Sequence, residues 1–155
     1  TEIDKIAAGT PQERIDKGDI DALGSRVLEA TVFELTDCLL EKQYSKGLLI
    51  LRDLFDMKQE PVAVLAAITK QMQRLYGAKL AMVKGKGESE IAQILGFKSA
   101  YPARRLIQNA RRCSLDYLRW VQKLCLENDL ALKSNLPDPQ RSLELLLLRF
   151  AEAAK

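Results

Sequence analysis

Histidine is absent from the 155-residue chain, and its absence excludes several kinds of catalytic and metal site. Imidazole is the commonest general base in enzymes and a leading side-chain ligand of transition metals. Without it, serine and cysteine lack the base that usually activates them as nucleophiles. The sequence therefore predicts a non-catalytic protein that has no cofactor and no metal site.

Cysteine is scarce, and long apolar runs are missing. Cys38, Cys113 and Cys125 are odd in number and have no C-x-x-C spacing, which disfavours a disulfide framework and a zinc site. We interpret them as small buried apolar residues in a reducing compartment. No apolar run approaches the ~20 residues that a membrane-spanning helix needs, and no signal peptide is recognisable. We therefore expect a cytoplasmic protein without a membrane segment.

An excess of one charge is also missing, because 24 lysines and arginines are offset by 21 aspartates and glutamates. The formal net charge of +3 is too small to imply nucleic-acid binding by itself. Basic residues do recur in two stretches, 70–84 and 104–112. Such rows usually form the solvated face of a helix, but rows that converge in space would contact a phosphate backbone. The sequence leaves these alternatives open.

Helix-forming residues dominate what is present. Leucine, alanine, lysine, arginine, glutamate and glutamine are abundant, and the alternation of apolar and polar residues typical of strands is missing. This composition predicts an all-α fold. Short connections between the predicted helices favour a compact bundle of antiparallel neighbours.

Local signals predict where most helices begin and end. Thr31 and Glu34 have the spacing of a capping box, and Pro61 suits the first turn of a helix that extends to Val83. A short helix over 88–95 is expected to end at Gly96 in the left-handed conformation. Further helices are predicted over 100–112, after the capping residue Ser114, and after Asp138 and Pro139.

The last predicted helix is apolar around most of its circumference, which predicts burial on several sides, in the core or against a partner. We assign its partner interface to four residues: Leu143, Leu146, Leu147 and Phe150.

Residues 89–112 also resemble a helix-turn-helix, with a short helix, a glycine turn and a second helix that carries Arg104 and Arg105. The alternative function is therefore a DNA-binding regulator. An ordinary helical hairpin is favoured, because the net charge is low and the second helix opens without a base-reading side chain.

Six further segments have recognisable sequences: TVFELTD at 31–37, QMQRL at 71–75, SEIA at 89–92, QNARR at 108–112, DLALKS at 129–134 and LELLL at 143–147. In order and spacing, from residue 31 to about 150, these motifs resemble the delta subunit of the bacterial DNA polymerase III clamp loader. Each motif is weak alone, whereas the ordered set is fairly specific.

The resemblance implies a helical bundle of the clamp-loader collar type over 29–155, preceded over 1–28 by the remnant of an AAA+-type helical lid domain. In that family, the collars of five subunits associate in a ring-like disc, and the loader places a sliding clamp on primed DNA during replication. The delta subunit binds the clamp through an N-terminal module that this chain lacks, and it does not hydrolyse ATP.

The implied partners are therefore the other clamp-loader subunits, with primed DNA as a partner of the full complex. The parent holoenzyme is a DNA-directed DNA polymerase, a nucleotidyltransferase, to which this chain contributes a non-catalytic part. Lys133 lies on a tract that would face the DNA-containing chamber, and we assign it, with Arg104 and Arg105, as a possible phosphate contact.

Overall fold

The computed structural model describes residues 17–134 and 137–153, and within those ranges every regular element is an α-helix. The all-α prediction is confirmed. The helices are α1 (Lys17–Leu40), α2 (Tyr44–Asp56), α3 (Pro61–Val83), α4 (Glu88–Ile94), α5 (Ala100–Arg112), α6 (Leu115–Lys133) and α7 (Pro139–Ala153). None of them is long and apolar enough to cross a membrane.

Helix α3 forms the centre of the bundle. It packs against α1, α5 and α6 along its length and also touches α4 and α7. Its buried face repeats at helical spacing through Val64, Ile68, Met72 and Leu75, which are at most 1% exposed. The remaining helices close around it, because α1 packs on α2, and α7 packs on both α2 and α6.

Local chemistry explains most of the helix ends. The Ser114 hydroxyl accepts a hydrogen bond from the Tyr117 amide at 3.0 Å, and Asp138 Oδ1 accepts one from the Arg141 amide at 3.0 Å. These two caps confirm the predicted starts of α6 and α7. Gly96 follows α4 with φ +76°, in the left-handed region where glycine carries no steric cost, as predicted.

The predicted helix start at Thr31 is wrong. Helix α1 runs without a break from Lys17 to Leu40, and the Thr31 hydroxyl donates to the Val27 carbonyl at 2.8 Å within it. Glu34 instead lies 3.8 Å from Lys46 Nζ in an exposed ion pair. Because one helix passes through residues 28 and 29, no change of backbone structure marks the predicted domain boundary. The division of the chain at residue 28 stays a prediction.

Candidate interaction surfaces

The four predicted interface residues of α7 belong to the chain's own core. Leu143, Leu147 and Phe150 are 0% exposed and Leu146 is 1% exposed, so their side chains are covered by α7's neighbours within the bundle. This placement corrects their assignment as accessible partner contacts, because contact would require α7 to leave the core. The same helix exposes Leu145 and Leu148, by 49% and 45%. An interface on α7 therefore stays a prediction, and these two leucines are the ones that reach solvent.

Helices α2 and α7 lie antiparallel, and α2 also carries an exposed leucine. At one end, Arg52 Nε is 3.7 Å from Glu144 Oε1. At the other end, the Tyr117 hydroxyl donates to the Phe150 carbonyl at 3.0 Å and lies near Tyr44.

Leu49, which is 59% exposed, lies one turn before Arg52 on the helix that packs against α7. We call Leu49, Leu145 and Leu148 the leucine face.

A second apolar surface is a groove on the other helices of the bundle. One part, of about 570 Å³, lies between the first half of α1 and α3, and a second part, of about 500 Å³, lies between α3 and α6. Both parts are lined by Ala66 and Lys70, so the two depressions adjoin along α3. Its apolar rims are Ile20 on α1 and Leu126 on α6, which are 59% and 60% exposed. We call this surface the alanine groove.

Three of the four charged residues that line the alanine groove, Glu29, Lys70 and Asp129, are paired within the chain, and the fourth is Asp21. Lys70 Nζ donates to Glu29 Oε1 at 2.8 Å, and Lys133 Nζ donates to Asp129 Oδ2 at 2.8 Å. A partner that covers the groove would therefore meet small apolar residues and neutralised ion pairs. This chemistry suits an apolar helix face more than a charged ligand.

The predicted helix-turn-helix exists as a packed pair, α4 and α5, but its arginines are largely occupied. Arg105 donates to Asp37 and, at 3.0 Å, to Glu41. The hydrogen bond that Arg105 donates to Asp37 raises the pKa of Arg105 above its usual value. Asn109, which is 5% exposed, donates to the second oxygen of the same aspartate. These groups form a polar joint between α1 and α5. The Arg105 guanidinium therefore binds carboxylates of the chain itself, where the sequence predicted a phosphate contact.

Other members of the two basic rows are also engaged. Arg111 donates to Glu88 at 3.0 Å, Lys70 binds Glu29, and the Arg74 guanidinium lies 5.3 Å above the Phe97 ring. These contacts occupy part of each row, whereas Lys79 and Lys84 of α3 form no ion pair within the described ranges.

The two remaining phosphate candidates are exposed. Arg104 has no ion-pair partner within residues 17–134 and 137–153, and it lines a shallow depression of about 370 Å³ with Glu88 and Ser89. Lys133, whose side chain is 63% exposed, holds only the exposed pair with Asp129. Exposed pairs of this kind contribute about 1 kcal/mol or less, so a phosphate would displace Asp129 at little cost.

The cysteines are buried and free, which confirms their interpretation as apolar packing residues. Burial raises the pKa of the Cys113 and Cys125 thiols to about 11. A thiol that stays protonated is a poor nucleophile and a poor metal ligand. Across the part of the chain that the structure describes, no three cysteines or carboxylates come together in a group suited to a metal ion.

Comparison with known proteins agrees with the fold. A model of the C-terminal domain of the DNA polymerase III delta subunit matches residues 29–150. The chain is 28% identical over 138 residues to DNA polymerase III subunit delta of Bacillus subtilis strain 168, covering 89% of this chain and 40% of that protein.

The structure of the Bacillus subtilis DNA clamp loader delta protein YqeN superposes with a TM-score of 0.74 at 28% identity, covering 90% of this chain and 41% of the other. The chain thus spans about two fifths of the length of these relatives. With most of its helical bundle inside the matched range, the chain belongs to the DNA polymerase III delta subunit family, in which it corresponds to the C-terminal domain.

Proposed function

We propose that this chain is the assembly module of a clamp-loader delta subunit. It joins the other loader subunits through its helical collar and takes no part in chemistry. The observation that supports this role best is the presence of two separate apolar surfaces, the leucine face and the alanine groove, on different helices. A ring of unlike contacts requires two different faces on each member, one for each neighbour.

The wider role follows from the family. The loader that contains this chain would place the sliding clamp on primed DNA during replication in the cytoplasm. Contact with the clamp would come from the N-terminal part of the subunit, which precedes the collar in the family. Contact with DNA would come in the full complex, with Lys133 and Arg104 as the exposed cations available to phosphates. Arg105 would contribute only by giving up its contacts with Asp37 and Glu41.

The test is the mass of the chain measured by light scattering, alone and mixed with the collar domains of the other loader subunits. We expect a mixed complex of defined mass. Replacing Leu145 and Leu148 together by lysine should abolish one contact, because two charges would enter an apolar interface. Ala66→Arg should abolish the other, because its side chain would fill the alanine groove.

Matched controls separate interface effects from general effects of charge. Val83→Lys also replaces a well-exposed aliphatic residue, and Gln108→Arg also places an arginine on an exposed helix position. Both controls should assemble normally. If the wild-type chain ignores the other collars, or if the interface variants assemble as well as the controls, the proposed function is wrong.

The alternative role as a DNA-binding regulator has weaker support, because Arg105 and Arg111 are held by carboxylates of the chain itself. A regulator would bind one duplex sequence far more tightly than others, with an affinity that falls steeply with salt. Titration of the chain with labelled duplexes of varied sequence tests this alternative. Tight sequence-specific binding that Arg104→Ala weakens would favour the regulator over the assembly module.

A further inference from the structure

A third depression, of about 450 Å³, adjoins the alanine groove at Glu29 but otherwise has its own lining residues. It is formed by α1, α3, the segment after α4 and the start of α5. Its walls combine aromatic and cationic side chains in one place. The residues that define this aromatic groove are Arg26, Phe33, Arg74, Phe97, Lys98 and Tyr101.

The backbone at Gly96 positions the aromatic wall. The left-handed turn there, with φ +76°, ends α4, and the Phe97 amide donates to the Ala92 carbonyl at 3.0 Å. Phe97 then packs against the hydrophobic core with one face under the Arg74 guanidinium. Tyr101 follows at the first turn of α5 and is 69% exposed. Its ring therefore contributes little to the core and is available to a ligand.

The electrostatics of the groove are one-sided. Arg26, Arg74 and Lys98 line it, and Glu29 is the lining carboxylate. Glu29 is already bound to Lys70 at 2.8 Å, so its negative charge is largely neutralised from outside the groove. Aromatic walls with an excess of cations complement a ligand that carries both negative charge and an apolar group.

We propose that the aromatic groove binds an acidic peptide segment that bears an aromatic or large aliphatic side chain. The apolar side chain would lie between Phe97 and Tyr101, and the peptide carboxylates would pair with Lys98 and Arg26. This binding is additional to collar assembly and uses a different surface.

A peptide fits the groove better than a nucleic acid does. A single strand of nucleic acid follows a continuous cationic track with successive stacking rings. Two of the neighbouring cations are occupied, because Arg105 is bound by Asp37 and Glu41, and Arg111 is bound by Glu88, whereas Arg104 has no ion-pair partner among the described residues. These paired arginines interrupt a continuous cationic track along α5, and the volume of the groove suits two or three side chains.

The test is fluorescence anisotropy of the full chain with a labelled peptide of five aspartates followed by two phenylalanines. Two matched peptides replace the aspartates by asparagine or the phenylalanines by alanine. We expect saturable binding of the parent peptide, weaker binding of both matched peptides, and an affinity that falls with ionic strength. An unlabelled oligothymidylate serves as the competing nucleic acid.

Two variants and two controls locate the binding site. Lys98→Glu should weaken binding about tenfold, because the lysine that attracts the peptide carboxylates becomes a glutamate that repels them. Lys123→Glu, at an exposed position of α6, makes the same change of charge and should not weaken binding. Tyr101→Ala should weaken binding about fivefold through loss of aromatic contact, while Val83→Ala should not. Circular dichroism of each variant confirms that the fold is retained.

Three results would overturn the proposal. The first is no binding of the acidic peptide, and the second is binding that Lys98→Glu and Tyr101→Ala leave unchanged. The third is tighter binding of the oligothymidylate through the same two residues, which would assign the groove to single-stranded nucleic acid. None of these results would affect the collar interfaces, which light scattering tests separately.

Discussion

Two adjacent leucines of α7 provide a direct test of how the last helix is oriented. Leu147 is 0% exposed and Leu148 is 45% exposed, although their sequence surroundings are nearly the same. Replacing either by alanine removes the same atoms and changes helix propensity by the same small amount. Any difference between the two variants therefore reports the tertiary environment.

The structure predicts a large difference in stability. Leu147→Ala leaves a cavity in a packed core and should lower the free energy of unfolding by about 3 kcal/mol. Leu148→Ala should lower it by about 1 kcal/mol or less, because nearly half of that side chain is already in water. With a denaturant dependence of about 2 kcal/mol per molar urea, the midpoints should fall by about 1.5 M and by less than about 0.5 M.

The assay is urea unfolding followed by circular dichroism, with light-scattering measurement of assembly on the folded proteins. Equal shifts of the two midpoints would refute the orientation of α7. A Leu147→Ala protein that keeps its stability but loses its partners would also refute it, and would return the interface to the residues predicted from the sequence.

Further predictions concern the polar joint, a turn and the thiols. Asp37→Ala should destabilise the fold by about 1–3 kcal/mol in urea unfolding, because it leaves the buried Asn109 amide without its acceptor; a smaller loss than in a surface control variant would contradict this. Gly96→Ala should lower the free energy of unfolding by about 1 kcal/mol in the same assay, because alanine is strained at a positive φ. No atom lies within 4 Å of the added methyl group, so a steric clash should add nothing to this loss. An unchanged stability would mean that the turn relaxes. Burial raises the pKa of Cys113 and Cys125 from 9.0 to about 11. The two buried thiols therefore contribute fully to the free energy of unfolding below pH 9, and this contribution declines as the pH rises to about 11. In that window, each thiol should lower the free energy of unfolding by about 1.4 kcal/mol per pH unit, and replacing both by alanine should flatten the decline.

Helix positions were predictable wherever one residue's local chemistry decides the backbone. As predicted, α3 begins at Pro61 and α4 is followed by a left-handed turn at Gly96. The predicted caps at Ser114 and Asp138 also accept hydrogen bonds at the starts of α6 and α7. The same reasoning failed at Thr31, because a threonine hydroxyl also bonds to the carbonyl four residues earlier inside a helix. A capping motif therefore does not distinguish a helix start from a helix interior.

Partners distant in the chain were not predictable. Arg105 lies 68 positions from Asp37, and nothing near either residue indicates that they meet. The same arginine was assigned to phosphate because its row of basic residues would contact a phosphate backbone if the two rows converged in space. Only the polar joint between α1 and α5 shows that the charge is used inside the protein.

The sequence by itself determined the all-helical class, most helix ends, the burial of the cysteines and the family resemblance, because these depend on composition, on local backbone preferences and on ordered motifs. The tertiary structure alone decided which leucines of α7 face solvent and which arginines are paired. A helix that is apolar on every side has no unique inner face in its sequence. The face is chosen by the helices that pack around it, and those contacts arise only when distant parts of the chain meet.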